Sequence, residues 1–273
     1  FYKNVLTFIE VGESNLRDIT VALKMACWRD SSVSELKDII TLLGGKNGII
    51  LGWHDSEGDG VHAGSSVGWA TIASDHGNNY SVYAGLKKSQ FIQKPGANYE
   101  KAGQKVHYVT FMMTDGDNVQ YIERGYIREP KYFGSPLRGT IPFGWTLSPS
   151  LLELSPLFPN ALYKEATIND EFVTSVSGAG YTYPSVFDEE QFDAYLDRTS
   201  AWMKGMNQRY VQILDWFTNT IPWEKTVKIR QAYAKRPDIK GGFVYPVENT
   251  YLYPDMAGSI TWANGKPFAQ VML

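Results

Sequence analysis

The feature that most restricts the fold is a recurring short apolar run that ends abruptly in acidic or amide residues, with helix-patterned stretches between the runs. Ile49-Ile50-Leu51-Gly52-Trp53 is the first clear case and gives way to His54-Asp55-Ser56-Glu57. Further runs occupy Trp69 to Ala73, Val106 to Thr114, Ile141 to Thr146, Tyr210 to Leu214, Gly242 to Val247 and Phe268 to Met272. Continuous rather than alternating hydrophobicity marks strands buried on both faces, as in parallel sheets. Between them, Ser34 to Leu43 places Leu36, Ile39, Ile40 and Leu43 on one helical face and stops at Gly44-Gly45. Gln191 to Met206 and Trp223 to Ala234 read as helices separating the later strands. Ser14 to Cys27 carries a helical spacing with Ser14 as a cap, while Val21 to Trp28 reads equally as a strand; the two readings stay open.

Strands alternating with helices predict an α/β fold with a mainly parallel sheet. The runs are numerous enough to close a (β/α) barrel, so a barrel-like architecture is expected, in the form of a distorted or incomplete TIM-type barrel. An open doubly wound sheet is the alternative. No fixed-period repeat or linker-like stretch interrupts the chain. Its 273 residues are therefore read as one domain over 1–273, with 1–30 as a remnant of a preceding N-terminal domain. The chain starts at Phe1 without Met or a signal sequence, as a processed or excised fragment would.

Composition removes several classes. A net charge of −3 argues against a nucleic-acid partner. No apolar run approaches the ~18 residues of a membrane span, so none is expected. The single cysteine, Cys27, excludes an internal disulfide and a cysteine-built zinc cage. Eight Trp, 17 Tyr and 13 Phe make 14% of the chain aromatic. Several of these sit beside Gly, Asp and Asn, where a flat ring next to carboxylates and amides suits the apolar face and hydroxyl edge of a sugar.

In parallel α/β folds, active sites form where the C-terminal strand ends converge. Asp55 and Glu57, Ser74-Asp75-His76, Asp115-Gly116-Asp117-Asn118, Asp215-Trp216 and Glu248-Asn249 all follow apolar runs. They are expected to meet in one cleft, although Asp and Asn also serve as helix caps and turn formers. Two local segments stand out. Tyr108 to Asn118 runs an apolar strand directly into two aspartates flanking Gly116, and so close a pair must share a proton, bind a cation or donor, or point apart. Ser177-Gly178-Ala179-Gly180-Tyr181-Thr182-Tyr183-Pro184 frees the backbone at two glycines and stiffens the exit at proline.

Gly178-Ala179-Gly180-Tyr181-Thr182-Tyr183-Pro184 resembles the signature of the GxGYxYP putative glycoside hydrolase family, specifically its C-terminal domain. Phe111 to Asn118 is similar to the family's second hallmark. So are Gly52-Trp53 with Glu57, Ser74-Asp75 with Asn79, and Gly265-Lys266-Pro267. The resemblance spans Cys27 to the C-terminus. It implies a bacterial, extracytoplasmic carbohydrate-processing protein whose barrel-like catalytic domain follows a smaller N-terminal domain, most of which this chain lacks. It brings no catalytic assignment.

Other patterns fare less well. Gly64-Ser65-Ser66-Val67-Gly68 fits the nucleophile elbow of serine hydrolases, but that elbow needs a strand before it and a helix after it. Asp55 to Gly60 imitates the opening of a calcium loop, yet its twelfth position is Ser66 rather than Glu; a looser cation site at Asp55, Glu57 or Asp59 stays open. His54, His62 and His76 follow no ligand spacing and are expected at the surface. Gly44 to Gly48 lacks the phosphate-loop pattern, and Asn79-Tyr80-Ser81 is only a formal glycosylation sequon.

The reading that follows is a glycoside hydrolase acting on a poly- or oligosaccharide by carboxylate acid/base chemistry. Asp115 and Asp117 are the first catalytic candidates, with Glu57 and Asp215 as partners from other strand ends. One aspartate does the chemistry and the other positions substrate or caps a helix. Trp53, Trp145, Tyr181 and Tyr183 are expected as sugar platforms, with Asn79 and Asn118 reading hydroxyls. No cofactor is expected, a divalent cation being the exception. The alternatives are a metal-dependent carbohydrate deacetylase, with Asp115, Asp117 and His76 holding the ion, and a non-catalytic glycan-binding protein.

Overall fold

The structure, a computed structural model, describes residues 4–9, 15–29, 32–94, 96, 108–215, 221–245 and 258–271. Ser14, Trp216, Val247, Glu248, Asn249 and Met272, named above, lie outside the described residues, as do Val106 and His107.

The strands are β1 (Val5–Phe8), β2 (Ala26–Trp28), β3 (Ile49–Leu51), β4 (Ala70–Ile72), β5 (Met112–Met113), β6 (Phe143–Leu147), β7 (Asp170–Thr174), β8 (Tyr210–Leu214), β9 (Gly241–Tyr245), β10 (Ile260–Ala263) and β11 (Lys266–Gln270). They form two open sheets. The first has the order β2-β1-β3-β4 and is parallel throughout. The second has the order β10-β11-β9-β8-β7-β6-β5 and is parallel except for the β10–β11 hairpin.

Helices lie between these strands: α1 (Arg17–Ala22), α2 (Val33–Leu43), α3 (Glu57–Ser66), α4 (Tyr80–Tyr83), α5 (Val119–Tyr121), α6 (Leu151–Leu154), α7 (Leu157–Glu165), α8 (Glu189–Gly205) and α9 (Trp223–Ala234). Capping follows the local sequence. Ser32 accepts from the Glu35 N–H at the start of α2, and Asp188 accepts from the Gln191 N–H at the start of α8. Of the two readings of the early segment, each holds in part: α1 covers Arg17–Ala22 and β2 follows at Ala26. Among the described residues no helix is long and apolar enough to cross a membrane.

The α/β layering and parallel pairing follow the sequence pattern; the closed barrel does not. β4 and β5 are edges of separate sheets. The outer edge of β4 is taken instead by the GxGYxYP segment: Thr71 N–H donates to the Tyr181 carbonyl at 3.0 Å, and Tyr181 N–H donates back to Thr71 at 2.6 Å. A two-residue β5, preceded by exposed Tyr108 and Val109, is also too short to close a ring. The sheets nevertheless share a core, in which Leu51 and Ile72 of the first join Val119, Trp145, Leu147 and Phe172.

The glycines of the signature have a packing reason. Gly180 has a φ of +125°, and a Cβ there would lie 2.9 Å from the Ala70 Cβ and 3.1 Å from the Thr71 carbonyl oxygen. Only a residue without a side chain lets the loop lie flat on β4. The loop's own polar groups are met from all sides. Ala179 N–H donates to Thr199 at 2.9 Å, Tyr183 N–H to Ser65 at 3.0 Å, Tyr195 hydroxyl to the Gly180 carbonyl at 3.0 Å, and Tyr233 hydroxyl to the Ser177 carbonyl at 2.7 Å.

Candidate active site

Strand ends β5, β8 and β9, the start of α3 and the signature loop surround a cleft of about 420 Å³. Its walls include Trp53, Glu57, Asp115, Asp117, Asn118 and Tyr181, six of the residues expected from sequence, together with Thr114, Tyr121, Val176, Gln212, Leu214 and Tyr245.

Each acidic group arrives by a different local device. Asp115 and Asp117 sit in a turn locked onto β6: Gly116 N–H donates to the Thr146 hydroxyl at 2.9 Å, and Ser148 N–H donates to the Gly116 carbonyl at 2.8 Å. A Cβ at Gly116 would fall 1.8 Å from the Thr146 carbonyl oxygen, so the close crossing needs glycine. Asp115 is exposed and accepts from the Thr114 hydroxyl at 3.1 Å. Asp117 is half-buried and lines the cleft. Burial, reinforced by the neighbouring Asp115 and Glu57 charges and opposed by a bond to its own backbone N–H, pushes its carboxyl up to about 7.

Glu57 is the first residue of α3, where the helix N-terminus favours negative charge. Its Oε1 accepts from the Tyr181 hydroxyl at 3.0 Å. Burial first, then the neighbouring Tyr183, Glu57 and Asp117, lift the Tyr181 phenol far above its ordinary range, so it stays protonated and donates. Trp53 stacks on the Tyr181 ring at 5.8 Å between centroids, and Tyr183 supports that ring edge-on from behind at 5.6 Å.

Four expected site residues lie elsewhere. Trp145 is only 6% exposed; its indole N–H donates to Asp170 at 2.8 Å, and Phe133, Phe143 and Tyr126 pack around it. It points into the shared core and is no sugar platform. Asn79 is exposed in a left-handed backbone conformation just before α4, away from the cleft walls. Tyr183 is fully buried and touches Tyr181 rather than the open space. Asp215 is sealed behind the cleft, where its carboxylate accepts from the Ser185 N–H at 3.0 Å and the Ser185 hydroxyl at 2.7 Å. Burial raises its carboxyl to about 7 against those two bonds and the Lys225 charge.

Other patterns resolve plainly. Gly64 to Ser66 close helix α3, which is not an elbow between a strand and a helix. His54, expected at the surface, is buried against Phe8 and Trp28, with Nδ1 taking the Ser56 N–H at 3.0 Å. His76 is exposed and pairs with Asp75 at 3.4 Å, outside the cleft. Among the described residues no three His, Cys, Asp or Glu side chains are arranged to hold a metal ion.

Sequence reasoning missed Tyr121, Gln212 and Tyr245. Gln212 carried a usable signal, being the one amide inside the apolar run Tyr210-Val211-Gln212-Ile213-Leu214. Tyr121 lies three residues after Asn118, one turn along the same short helix.

Residues 105–272 match the description GxGYxYP putative glycoside hydrolase C-terminal domain, and residues 6–85 match GxGYxYP third domain. Glu57 thus comes from the third-domain segment, whereas Asp115, Asp117 and Tyr181 come from the C-terminal one. No curated protein matches the chain. A crystal structure of a putative hydrolase from Bacteroides thetaiotaomicron VPI-5482 is similar over 98% of this chain, with a TM-score of 0.82 and 25% identity. The chain spans about half, 51%, of that protein's length. The chain belongs to the GxGYxYP putative glycoside hydrolase family.

Proposed function

We propose that this chain carries the catalytic cleft of a glycoside hydrolase acting on a poly- or oligosaccharide, with Asp117 as general acid and Glu57 as its carboxylate partner. One observation carries the reading. A carboxyl pushed up to about 7 shares a cleft with a second carboxylate that a tyrosine hydroxyl holds in place. Cleavage of a glycosidic bond needs one carboxyl protonated near neutral pH and another ionised, and contrasted environments supply such a pair.

Asp117 protonates the leaving oxygen, and its raised titration keeps a fraction protonated at pH 7. Glu57 acts as base or nucleophile, its Oε1 oriented by Tyr181. Asp115, exposed at the mouth, adds negative charge that favours the oxocarbenium-like transition state. Trp53 and Tyr181 present stacked rings to a sugar face. We place such an enzyme outside the cytoplasm, where it would meet polysaccharide.

Hydrolysis of a panel of aryl glycosides and neutral oligosaccharides tests the reading. Turnover in the wild type that is lost in both Asp117→Asn and Glu57→Gln supports it. Turnover retained at wild-type rate in either variant overturns the assignment, and glycan binding without any turnover makes the protein a binder.

A further inference from the structure

One cleft residue has no role in the acid/base scheme. Gln212, third in β8, is 2% exposed, and its side chain lines the cleft floor. Its Oε1 has no hydrogen-bond donor. A buried acceptor left unpaired costs free energy that any apolar residue of similar size avoids. On a central strand paired on both edges, through β7 and β9, an apolar side chain is the default.

The surroundings say what kind of donor suits it. Asp115 and Glu57 offer only acceptors when ionised, and the Tyr181 proton is already committed to Glu57. Among the described residues lining the cleft there is no Lys, Arg or His. A hollow walled by three carboxyl groups and holding an unpaired acceptor takes a ligand that brings a donor and carries no negative charge.

We propose that Gln212 is a specificity-determining residue whose amide oxygen accepts a hydrogen bond from a hydroxyl of an uncharged glycan on the cleft floor. This rests on the glycoside hydrolase reading for the identity of the ligand, not for the unpaired acceptor. A site built to bond a substrate hydroxyl discriminates strongly against the analogue lacking it, because the buried group is then stranded.

The test compares wild type with Gln212→Leu in three measurements. Ligand-free melting is read first, by calorimetry. Binding is read next by saturation-transfer NMR, with neutral oligosaccharides (cello-, xylo-, manno- and galacto-series) and an oligogalacturonate as probes. Monodeoxy analogues of the best neutral ligand complete the cycle. Three results are expected: Gln212→Leu melts at or above the wild type, it binds the parent glycan about 10- to 100-fold more weakly, and its deficit vanishes for one monodeoxy analogue.

A lower melting temperature marks a structural glutamine and overturns the proposal. So does unchanged affinity, an equal deficit for every analogue, or tighter binding of the oligogalacturonate than of any neutral glycan. Binding that behaves as expected without any hydrolysis overturns the enzyme reading alone. Absence of binding to every neutral probe overturns both.

Discussion

Asp117 and Asp215 both follow the C-terminal end of a parallel strand, and burial lifts both carboxyls to about 7. Around Asp215 the protein closes: Ser185 supplies a backbone and a hydroxyl donor, and the carboxylate anchors the exit of the signature loop just after Pro184. Around Asp117 it opens. The β5 end is an edge of its sheet, the turn at Gly116 carries the side chain to the cleft, and two further carboxylates share that space. A raised titration therefore does not by itself mark chemistry. Access to a ligand and the presence of a second carboxylate separate a candidate acid from a structural one.

The comparison is broken or sharpened first by removing each acid. Asp117→Asn is expected to lower kcat/KM by about a thousandfold, within the range for loss of a general acid, and to abolish the decline in rate as pH rises through about 7. Asp215→Asn is expected to keep that decline. An alkaline limb that vanishes in the Asp215 variant instead would reverse the assignment. Next in size, Tyr181→Phe keeps the ring that stacks on Trp53 and deletes the donor to Glu57. A hydrogen bond to a charged group sets the expected loss in kcat/KM at about 10- to 100-fold, measured with melting temperature as the control for folding.

Ser185→Ala probes the sealed side. Two of the donors to Asp215 come from this residue, and deleting the hydroxyl is expected to cost about 1–3 kcal/mol of stability, read by chemical denaturation, with the pH profile of activity unmoved.

A pH dependence of stability is common to both regions. Each folded carboxyl titrates near 7, above the ~4 of an unfolded aspartate. Between those values the native state holds protons that the unfolded chain releases. The protonated groups' contribution is therefore fully present below about pH 4 and is lost as pH rises to about 7. Denaturation midpoints at pH 5, 6, 7 and 8 are expected to fall and then level, and each Asp→Asn variant is expected to flatten part of the slope.

Much of this was legible in the chain. Tyr210 to Leu214 and Trp223 to Ala234 have the bounds the hydrophobic pattern predicts. The apolar run into Asp115-Gly116-Asp117-Asn118 marked a strand end beside a turn, and both aspartates reach the cleft. Trp145 was misread because tryptophan carries the same letter whether it stacks on a sugar or donates to a buried Asp170; its position within β6 decides between them. Asp215 was misplaced for a related reason. Its partner Ser185 lies thirty residues away, and no local pattern links the two. The run Val106 to Thr114 overstated β5, since Tyr108, Val109 and Phe111 are apolar yet exposed.

By itself the sequence determined the α/β layering, the order of most strands and helices, the signature segment and the kinds of residue at the strand ends. Periodicity and turn chemistry act over a few residues and are written locally. The tertiary structure alone decided that the sheets stay open, that Tyr181 occupies the edge of β4 and reaches Glu57, and that Asp117 rather than Asp215 faces the cleft. Those outcomes depend on backbone pairing and burial between segments from thirty to more than a hundred residues apart, where one side chain's neighbours set its charge and its access.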